Sequence, residues 1–344
     1  MKRRFQSALL GTALGDAWGY IHQEAPQLER TPLPEDLVIS DDTQMTLALS
    51  TAMRYIDRRQ LDVNDGMEEI ATQFLAYFLD RDFDRHPGMS NTSALHRLNE
   101  MGAERWASVA TRSGGSGGIM RVSASGLLAP AGAAVGWSVY QASLTHDSGL
   151  TRAAAAMLGC AFAAEVGSDL LDVASGMAGD PNFDDDALLS DDEKSEIIED
   201  LHTSKIKNLR GADIPLNEMI GRVQEVRNVF SPILADGDFE ALYRDHRKLQ
   251  QIFGKAWDAG SCTASALLLT QLYLDHTDQF DPHDFLHVAV NWTGNRNTRA
   301  SLTGALIGAH LPQGKSWEDP REYVFEDRYN KAIHTGTWYG FGQN

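Results

Sequence analysis

Apolar residues recur at spacings of three and four along most of the chain, which is the period of one face of an α-helix. In the first such segment Ala8, Gly11, Gly15 and Gly19 share one face, so this helix can approach a neighbouring helix very closely. The other segments with helical spacing are 43–57, 66–80, 92–105, 151–166, 216–230, 239–256, 260–275, 283–291 and 298–310. Strand-like alternation is scarce, and the pattern therefore predicts an all-α fold.

Two stretches interrupt the helical pattern. Residues 111–118, T-R-S-G-G-S-G-G, are predicted to be a loop, because four glycines in eight positions would not hold a helix. Residues 180–200 form an acidic run, interpreted as a solvated loop that leads into an amphipathic helix. The sequence has no internal repeat and no strong shift in composition, so we expect a single domain over residues 1–344.

Composition and charge narrow the function classes. The chain has 344 residues, 42% hydrophobic and 23% charged, which is ordinary for a soluble globular protein with a substantial core. Its net charge of −18 argues against a nucleic-acid surface or an anionic-membrane surface. A small phosphorylated ligand held by backbone amides or a metal remains compatible with that charge. Cys160 and Cys262 lie in apolar stretches and are predicted to be buried, reduced thiols.

The first residues superficially imitate a signal peptide, with the basic start M-K-R-R followed by a short apolar run. Glycines break that run, which ends at Asp16, and the longest apolar patch, 153–164, is too short to cross a bilayer. Both segments are interpreted as buried helices, and the protein is expected to be cytoplasmic and without a membrane partner.

Two neighbouring carboxylates stand at the start of a predicted helix, in the stretch I-S-D-D-T-Q-M-T at 39–46. Asp41 and Asp42 lie between the hydroxyl residues Ser40 and Thr43. One interpretation is a helix cap, because all these residue types stabilise helix N-termini. The other is a site for a hard cation, because carboxylates and a hydroxyl suit Mg²⁺, Mn²⁺ or Ca²⁺. The motif alone leaves both open.

Three further stretches could carry chemistry. The segment G-G-S-G-G-I-M-R at 114–121 is either a flexible surface connection or a phosphate cradle, in which glycines let N–H groups reach an anion. The stretch T-H-D at 145–147 contains one histidine, a residue that in isolation is more often structural than a ligand. In residues 293–309, Gly304 and Gly308 favour tight helix packing, and the polar start of that segment is typical of a cap.

Five motifs follow one another along the chain: L-G-T-A-L-G-D-A-W-G, S-D-D-T-Q-M-T, G-x-G-G-I-M-R, T-H and G-N-x-N-T…G-A-L-I-G-A. Together, and in this order, they resemble the ADP-ribosylglycohydrolase family. That family includes the glycohydrolase that reactivates ADP-ribosylated dinitrogenase reductase and the ADP-ribosyl-acceptor hydrolases. The resemblance extends from about residue 7 to about residue 310. It implies a compact, all-α, single-domain fold with a binuclear Mg²⁺ or Mn²⁺ site, which hydrolyses the glycosidic bond between ADP-ribose and a protein side chain.

The resemblance also assigns roles to individual residues. Asp41 and Asp42 match the carboxylates of the first metal-binding half and are the candidate catalytic residues. The glycine-rich segment 114–121, called the glycine loop, matches the segment that holds the diphosphate in the family. His146 matches a histidine close to the ribose. The candidate substrate-binding residues are Gly115, Ser116, Gly117, Gly118, Met120, His146 and Gln23. The candidate metal ligands are Ser40, Asp41, Asp42, Asn295, Asn297 and Thr298.

Three departures from the family pattern concern acidic residues. The second metal-binding half, G-D-x-D-T in the family, here has the amides Asn295 and Asn297 in place of both carboxylates. The family's acid shortly after G-D-A-x-G is replaced by Gln23, with Glu24 one position away, whereas Asp16 is retained. Each lost carboxylate should weaken metal binding by about 1–4 kcal/mol in a partly screened site. We therefore expect one Mg²⁺ or Mn²⁺ ion rather than two, or none.

These features leave three hypotheses for function. The first is a hydrolase that removes ADP-ribose from an ADP-ribosylated protein or from a small ADP-ribosylated compound. The second is a degenerate homologue that binds ADP-ribose, a related nucleotide or a protein partner without turnover. In the third, Arg296 replaces part of a metal's role by pairing with a phosphate or carboxylate of a different substrate. The order and number of the matching motifs favour the first.

Overall fold

Helices build nearly all of the computed structural model, which describes residues 2–23, 35–179, 186–207, 213–317, 323–338 and 340–341. Glu24 and residues 180–185 of the acidic run lie outside the described residues. The helices are α1 (Lys2–Ile21), α2 (Asp41–Arg59), α3 (Val63–Phe78), α4 (Met89–Met101), α5 (Val122–Leu128), α6 (Ala134–Ser143), α7 (Gly149–Ala163), α8 (Leu170–Gly179), α9 (Asp191–Thr203), α10 (Leu216–Ala235), α11 (Ala241–Arg244), α12 (His246–Phe253), α13 (Ala259–Asp275), α14 (Pro282–Asn291), α15 (Arg296–His310) and α16 (Asp327–Thr335). Short 3₁₀ turns occupy Ala103–Ser108 and Ser116–Gly118.

Extended structure in the described residues is limited to two small strand pairs. Strand β1 (Asp36–Leu37) pairs in parallel with β4 (Val324–Phe325). Strand β2 (Lys205–Lys207) pairs antiparallel with β3 (Asp213–Pro215). The prediction of an all-α fold is confirmed.

Most of the predicted helical segments are confirmed, and two need correction. The single helix predicted over 239–256 is wrong, because the chain forms the separate helices α11 and α12 on either side of Asp245. The segment 92–105 stops being α-helical at Met101, because Gly102 has a φ of 94° that ends the helix. The hydrophobic pattern does not predict α5, α6, α8 or α16, each of which has ten residues or fewer and so shows the helical period over three turns at most.

The glycine face of α1 packs against α15, as the small-residue spacing predicts. A Cβ atom at Gly11 would lie 2.1 Å from the carbonyl oxygen of Gly304, and one at Gly15 would lie 2.2 Å from that of Ala300. Neither distance is possible for a real side chain, so glycine is required at both positions. Helix α15 is buried along its whole length and also packs against α13 and α14. Two helices far apart in the sequence, α1 and α15, therefore meet in the core.

Part of the acidic run is anchored rather than solvated. The carboxylate of Asp186 is buried and accepts hydrogen bonds from the backbone N–H groups of Val135 and Gly136, at 3.0 and 3.1 Å. These two groups begin α6, whose own N-cap residue, Ala133, offers no side-chain acceptor. Asp186 thus caps α6 from a distant part of the sequence. The predicted amphipathic helix after the run is α9, which begins with a capping box formed by Ser190 and Glu193.

We expect Asp186→Ala to lower the free energy of unfolding by about 1–2 kcal/mol, since the variant leaves the first turn of α6 without its acceptor. Asp192→Ala removes the same charge from an exposed position of the same acidic run and should change stability by less than about 0.5 kcal/mol. Urea denaturation of the two variants measures the difference. Equal stabilities would show that Asp186 does not support α6.

The remaining predictions about burial agree with the structure. Both cysteines are buried and free. Helices α1 and α7, which carry the two apolar stretches considered as possible membrane segments, lie in the core. Among the residues that the structure describes, no helix combines the length and the hydropathy needed to span a membrane.

Candidate active site

A cleft of about 470 Å³ opens where four distant segments of sequence meet. The end of α1, the start of α2, the glycine loop and the start of α15 all contribute side chains to it. The segment 86–91, which leads into α4, forms a further wall. The lining residues are Tyr20, Gln23, Asp41, His86, Pro87, Gly88, Met89, Ser90, Asn91, Ser113, Gly115, Ser116, Gly117, Met120, His146, Trp257, Asn295, Asn297 and Thr298.

Asp16 on α1 fixes the first turn of α2. Its buried carboxylate accepts the backbone N–H groups of Ser40 and Thr43, at 2.9 and 3.1 Å, and also both of their hydroxyl groups. Ser40 occupies the N-cap position of α2 but makes no side-chain capping hydrogen bond of its own. Asp16 therefore takes over the capping role that the sequence suggested for S-D-D-T, and Asp41 and Asp42 are available for other contacts.

The two neighbouring carboxylates differ in their surroundings. Asp41 borders the cleft, and its Oδ2 accepts the backbone N–H of Gly88 at 3.2 Å. Asp42 lies deeper, where its Oδ2 accepts the Asn297 amide at 3.0 Å and the Thr298 hydroxyl at 3.2 Å. The other oxygen of Asp42, Oδ1, is buried without a hydrogen-bond partner among the described residues.

Burial raises the pKa values of three neighbouring carboxyl groups, those of Asp16, Asp41 and Asp42. Burial, and then the charge of Asp16, raises the pKa of Asp41 to about 7. Burial, followed by the charges of Asp16 and Asp41, raises the pKa of Asp42 well above its usual range. Burial also raises the pKa of Asp16, although hydrogen bonds from Ser40 and Thr43 act in the opposite direction. The cluster thus has an excess of negative charge that either protons or a cation can offset.

The start of α15 supplies two amide side chains, Asn295 and Asn297, to the site. Asn297 donates from Nδ2 to Asp42 and, at 3.2 Å, to the hydroxyl of Ser40. Asn295 donates to the Ser116 hydroxyl at 2.9 Å and does not contact the carboxylates. Arg296 donates to the His22 carbonyl at 3.2 Å and does not line the cleft. The first turn of α15 is therefore joined directly to the first turn of α2 by hydrogen bonds.

Two carboxylates and their neutral neighbours are the groups at this site that could hold a hard cation. Among the described residues, no group of three or more His, Cys, Asp or Glu side chains is arranged to hold a metal ion. Hydrogen bonds bring together the carboxylate of Asp42, the hydroxyls of Ser40 and Thr298, and the Asn297 amide, which presents its nitrogen rather than its oxygen. The Oδ1 atom of Asp42, which has no hydrogen-bond partner among the described residues, is the oxygen best placed to coordinate a hard cation such as Mg²⁺ or Mn²⁺.

The glycine loop is an ordered wall of the cleft, so its interpretation as a flexible surface connection is wrong. Ser116 is 3% exposed, and its N–H donates to the Trp257 carbonyl at 3.0 Å. A Cβ at Gly117 would lie 2.9 Å from Nδ2 of Asn91, and one at Gly118 would lie 2.5 Å from a methyl of Thr151 and 3.2 Å from Cγ of the His146 ring. The glycines therefore make room for neighbouring side chains, including the imidazole ring. Gly118, a candidate substrate-binding residue, is buried and does not line the cleft.

His146 is a buried, neutral imidazole beside the cleft. Burial, and then the positive charge of Arg121, lowers the pKa of His146 to about 3. Arg121 lies below the glycine loop and is itself fully buried, which lowers its pKa to about 9. The ring therefore stays uncharged at neutral pH and can act only as a hydrogen-bond donor or acceptor.

The structure brings most of the predicted site residues together. Those on the lining are Gln23, Asp41, Gly115, Ser116, Gly117, Met120, His146, Asn295, Asn297 and Thr298, whereas Ser40 and Asp42 lie just beneath it. Sequence reasoning missed Tyr20, Asn91, Trp257 and the segment 86–90. Trp257 and Met89 are 56% and 87% exposed at the mouth of the cleft, and no local motif marks either. Only Asp258, which caps α13, gives a signal nearby, and that signal indicates a helix start.

Comparison with known proteins gives a consistent result. Residues 1–314 match the family model described as ADP-ribosylglycohydrolase, which confirms the resemblance seen in the motifs. A solved structure of an "ADP-ribosylglycohydrolase-related protein complex" is similar in fold, with 16% sequence identity and a TM-score of 0.54 over 97% of this chain and 95% of that chain. No curated protein matches the sequence.

Proposed function

This chain belongs to the ADP-ribosylglycohydrolase family, and from that premise we propose that its cleft binds ADP-ribose joined to an acceptor and hydrolyses the glycosidic bond. The observation that carries the proposal is the convergence of Asp41, the glycine loop, His146 and Asn297 on one cleft of about 470 Å³. A cleft of that size is in the usual range for small-molecule sites. The acceptor would be a side chain of a modified protein or a small molecule.

Electrostatics within the cleft support binding of a diphosphate despite the net charge of −18. The buried guanidinium of Arg121 donates to the Gly117 carbonyl at 2.6 Å, directly behind the loop that would face the phosphates. No carboxylate of the described residues forms an ion pair with Arg121, whose other partners are neutral. Its charge interacts with that of Asp41 and also contributes a positive potential to the cleft, because a low-dielectric surrounding screens it weakly.

In the proposed reaction a water molecule attacks the anomeric carbon of the ribose. The bond from that carbon to the acceptor breaks, and its electron pair leaves with the acceptor nitrogen or oxygen. Asp41, at the cleft surface, accepts a proton of the attacking water, and a proton passes to the leaving nitrogen or oxygen, so that the products are free ADP-ribose and the unmodified acceptor. The charge of the carboxylate pair stabilises the oxocarbenium-like transition state. One divalent ion held by Asp41, Asp42 and their neutral neighbours would polarise the ribose and activate the water.

We expect the purified protein to release free ADP-ribose from an ADP-ribosyl-arginine peptide, an ADP-ribosyl-serine peptide or a small ADP-ribosylated compound. Release is measured by chromatography with Mg²⁺, with Mn²⁺ and with a chelator, and hydrolysis should be faster with either ion. The same substrates without enzyme give the background rate. Absence of release from every acceptor under all three conditions would refute the proposed activity.

A second candidate function is binding of ADP-ribose without turnover. The direct hydrogen bonds from Asn297 to Asp42 and Ser40 favour it, because they hold the two halves of the site together without an ion. Calorimetry separates the two candidates. Binding of ADP-ribose that is equally tight with Mg²⁺ and with chelator, together with no hydrolysis, would identify a binding module. The cytoplasmic location and the single-domain organisation inferred from the sequence stay predictions.

A further inference from the structure

A chain of hydrogen bonds connects the buried Arg121 to the imidazole of His146. Nη2 of Arg121 donates to the Thr145 hydroxyl at 2.7 Å, and that hydroxyl lies 2.9 Å from Nδ1 of His146. A guanidinium can only donate, so the Thr145 oxygen accepts from it and keeps its own hydrogen for another acceptor. The alternative acceptor, the Ala142 carbonyl, is at 3.5 Å. The shorter contact therefore makes Nδ1 of His146 the acceptor.

This arrangement determines where the proton of the neutral ring lies. If Nδ1 accepts a hydrogen bond, the ring hydrogen must be on Nε2. His146 lines the cleft, and no hydrogen bond among the described residues uses Nε2. Nε2 is also the nearest ring atom to the Cβ position of Gly115, at 3.4 Å, on the glycine loop. The Nε2–H group is thus available to a ligand in the cleft beside that loop.

The same guanidinium also fixes the loop. Besides Thr145, Arg121 donates to the carbonyl of Gly117 and to both the side chain and the backbone carbonyl of Gln141. Gln141 in turn donates to the Gly118 carbonyl at 3.1 Å. The ring of Phe74 lies 4.7 Å from the guanidinium carbon. One buried side chain therefore sets the orientation of both the loop and the histidine.

We propose that Arg121 is a positioning residue that, through Thr145, fixes His146 in the Nε2–H tautomer as a hydrogen-bond donor to an oxygen of the bound nucleotide sugar. The identity of that ligand rests on the proposed function, whereas the tautomer does not. A fixed donor avoids the free-energy cost of reorienting the ring when the ligand binds. Thr145 transmits the effect, because its hydroxyl is the only link between the two side chains in the described part of the chain.

The tautomer is tested by ¹⁵N NMR of protein labelled in its histidines, with the His146 signals assigned by their loss in His146→Gln. We expect the Nε2–H pattern in the unmodified protein and in Thr145→Ser, which keeps the hydroxyl. Thr145→Val has nearly the same volume without the hydroxyl and should give a mixture of tautomers, as should Arg121→Lys. An Nδ1–H tautomer in the unmodified protein, or an Nε2–H pattern unchanged in Thr145→Val, would overturn the proposal.

Binding of ADP-ribose provides an independent readout. Calorimetry should show about tenfold weaker binding for Thr145→Val, the value of one hydrogen bond, and unchanged binding for Thr145→Ser. Thermal unfolding of each variant confirms that it is folded. If Arg121→Lys does not fold, the comparison of Thr145→Val with Thr145→Ser still tests the proposed hydrogen-bond chain. If the unmodified protein does not bind ADP-ribose, the proposed function fails, while the NMR result still decides the role of Arg121. Equal affinities of Thr145→Val and Thr145→Ser for ADP-ribose would contradict the proposal that His146 is held as a donor to the ligand.

Discussion

Replacing Gly15 by alanine is expected to lower the free energy of unfolding by about 3–5 kcal/mol. The added methyl would lie 2.2 Å from the Ala300 carbonyl oxygen and 2.7 Å from the backbone nitrogen of Ser301. Both obstacles are main-chain atoms of α15, so no side-chain rotation relieves the overlap and the two helices must separate. Such a separation also moves the neighbouring Asp16 away from the first turn of α2. Chemical denaturation measures the loss of stability.

Gly221→Ala is the matched control for this experiment. Gly221 lies inside α10, and a Cβ there would meet nothing within 4 Å. The same substitution at this position should stabilise the protein by about 0.5–1 kcal/mol, because alanine has less conformational entropy to lose. The two glycine variants should therefore change stability in opposite directions. A Gly15→Ala protein as stable as the parent would show that α1 and α15 are not in backbone contact.

Asn297→Asp is expected to increase the affinity for Mg²⁺ or Mn²⁺ by about 100-fold. The change replaces an amide that donates to Asp42 and Ser40 with a carboxylate beside the two already present. Without metal the variant should be less stable by about 2–4 kcal/mol, since it loses two hydrogen bonds and gains a buried like charge. Added metal should reverse this loss. Calorimetry gives the affinity, and thermal unfolding with and without Mg²⁺ gives the stability.

Asn99→Asp serves as the control, because it makes the same change of charge on the exposed face of α4. Neither metal affinity nor stability should change there. Asn295→Asp is the informative comparison, since Asn295 donates to Ser116 rather than to the carboxylates, and its gain in affinity should be smaller. An Asn297→Asp protein that binds metal no better than the parent would show that Asp41 and Asp42 do not form the cation site.

The helical architecture could be predicted because it depends on a period that the sequence displays directly. Helices α2 and α3 have a clear apolar face, and the small-residue face of α1 correctly indicated a very close neighbour. Helix α6 could not be predicted, since it spans only ten residues and its cap comes from Asp186. The capping preferences of the residues at a helix end do not reveal hydrogen-bond acceptors that come from distant parts of the sequence.

The candidate site shows the same division between local and distant information. Each local motif was ambiguous alone, and Asp41, the glycine loop and Asn297 became candidate site residues only through the order of the motifs and the family resemblance it carries. The motifs could not show that Asp16 caps α2, because a cap contributed by another helix leaves no trace around Ser40. They also could not identify Trp257 or Met89, whose positions at the mouth of the cleft depend on how α13 and α4 are placed. Tertiary packing, rather than residue type, determines these contributions.

The contact between α1 and α15 has a consequence for how the protein is made. Helix α1 has as its main partner, among the described residues, a helix nearly three hundred residues later in the chain. Until that later segment has been translated, the glycine face of α1 has no surface to pack against, and the pairing of distant segments is intrinsically slow. We therefore expect the cleft, which draws on both helices, to assemble late in folding.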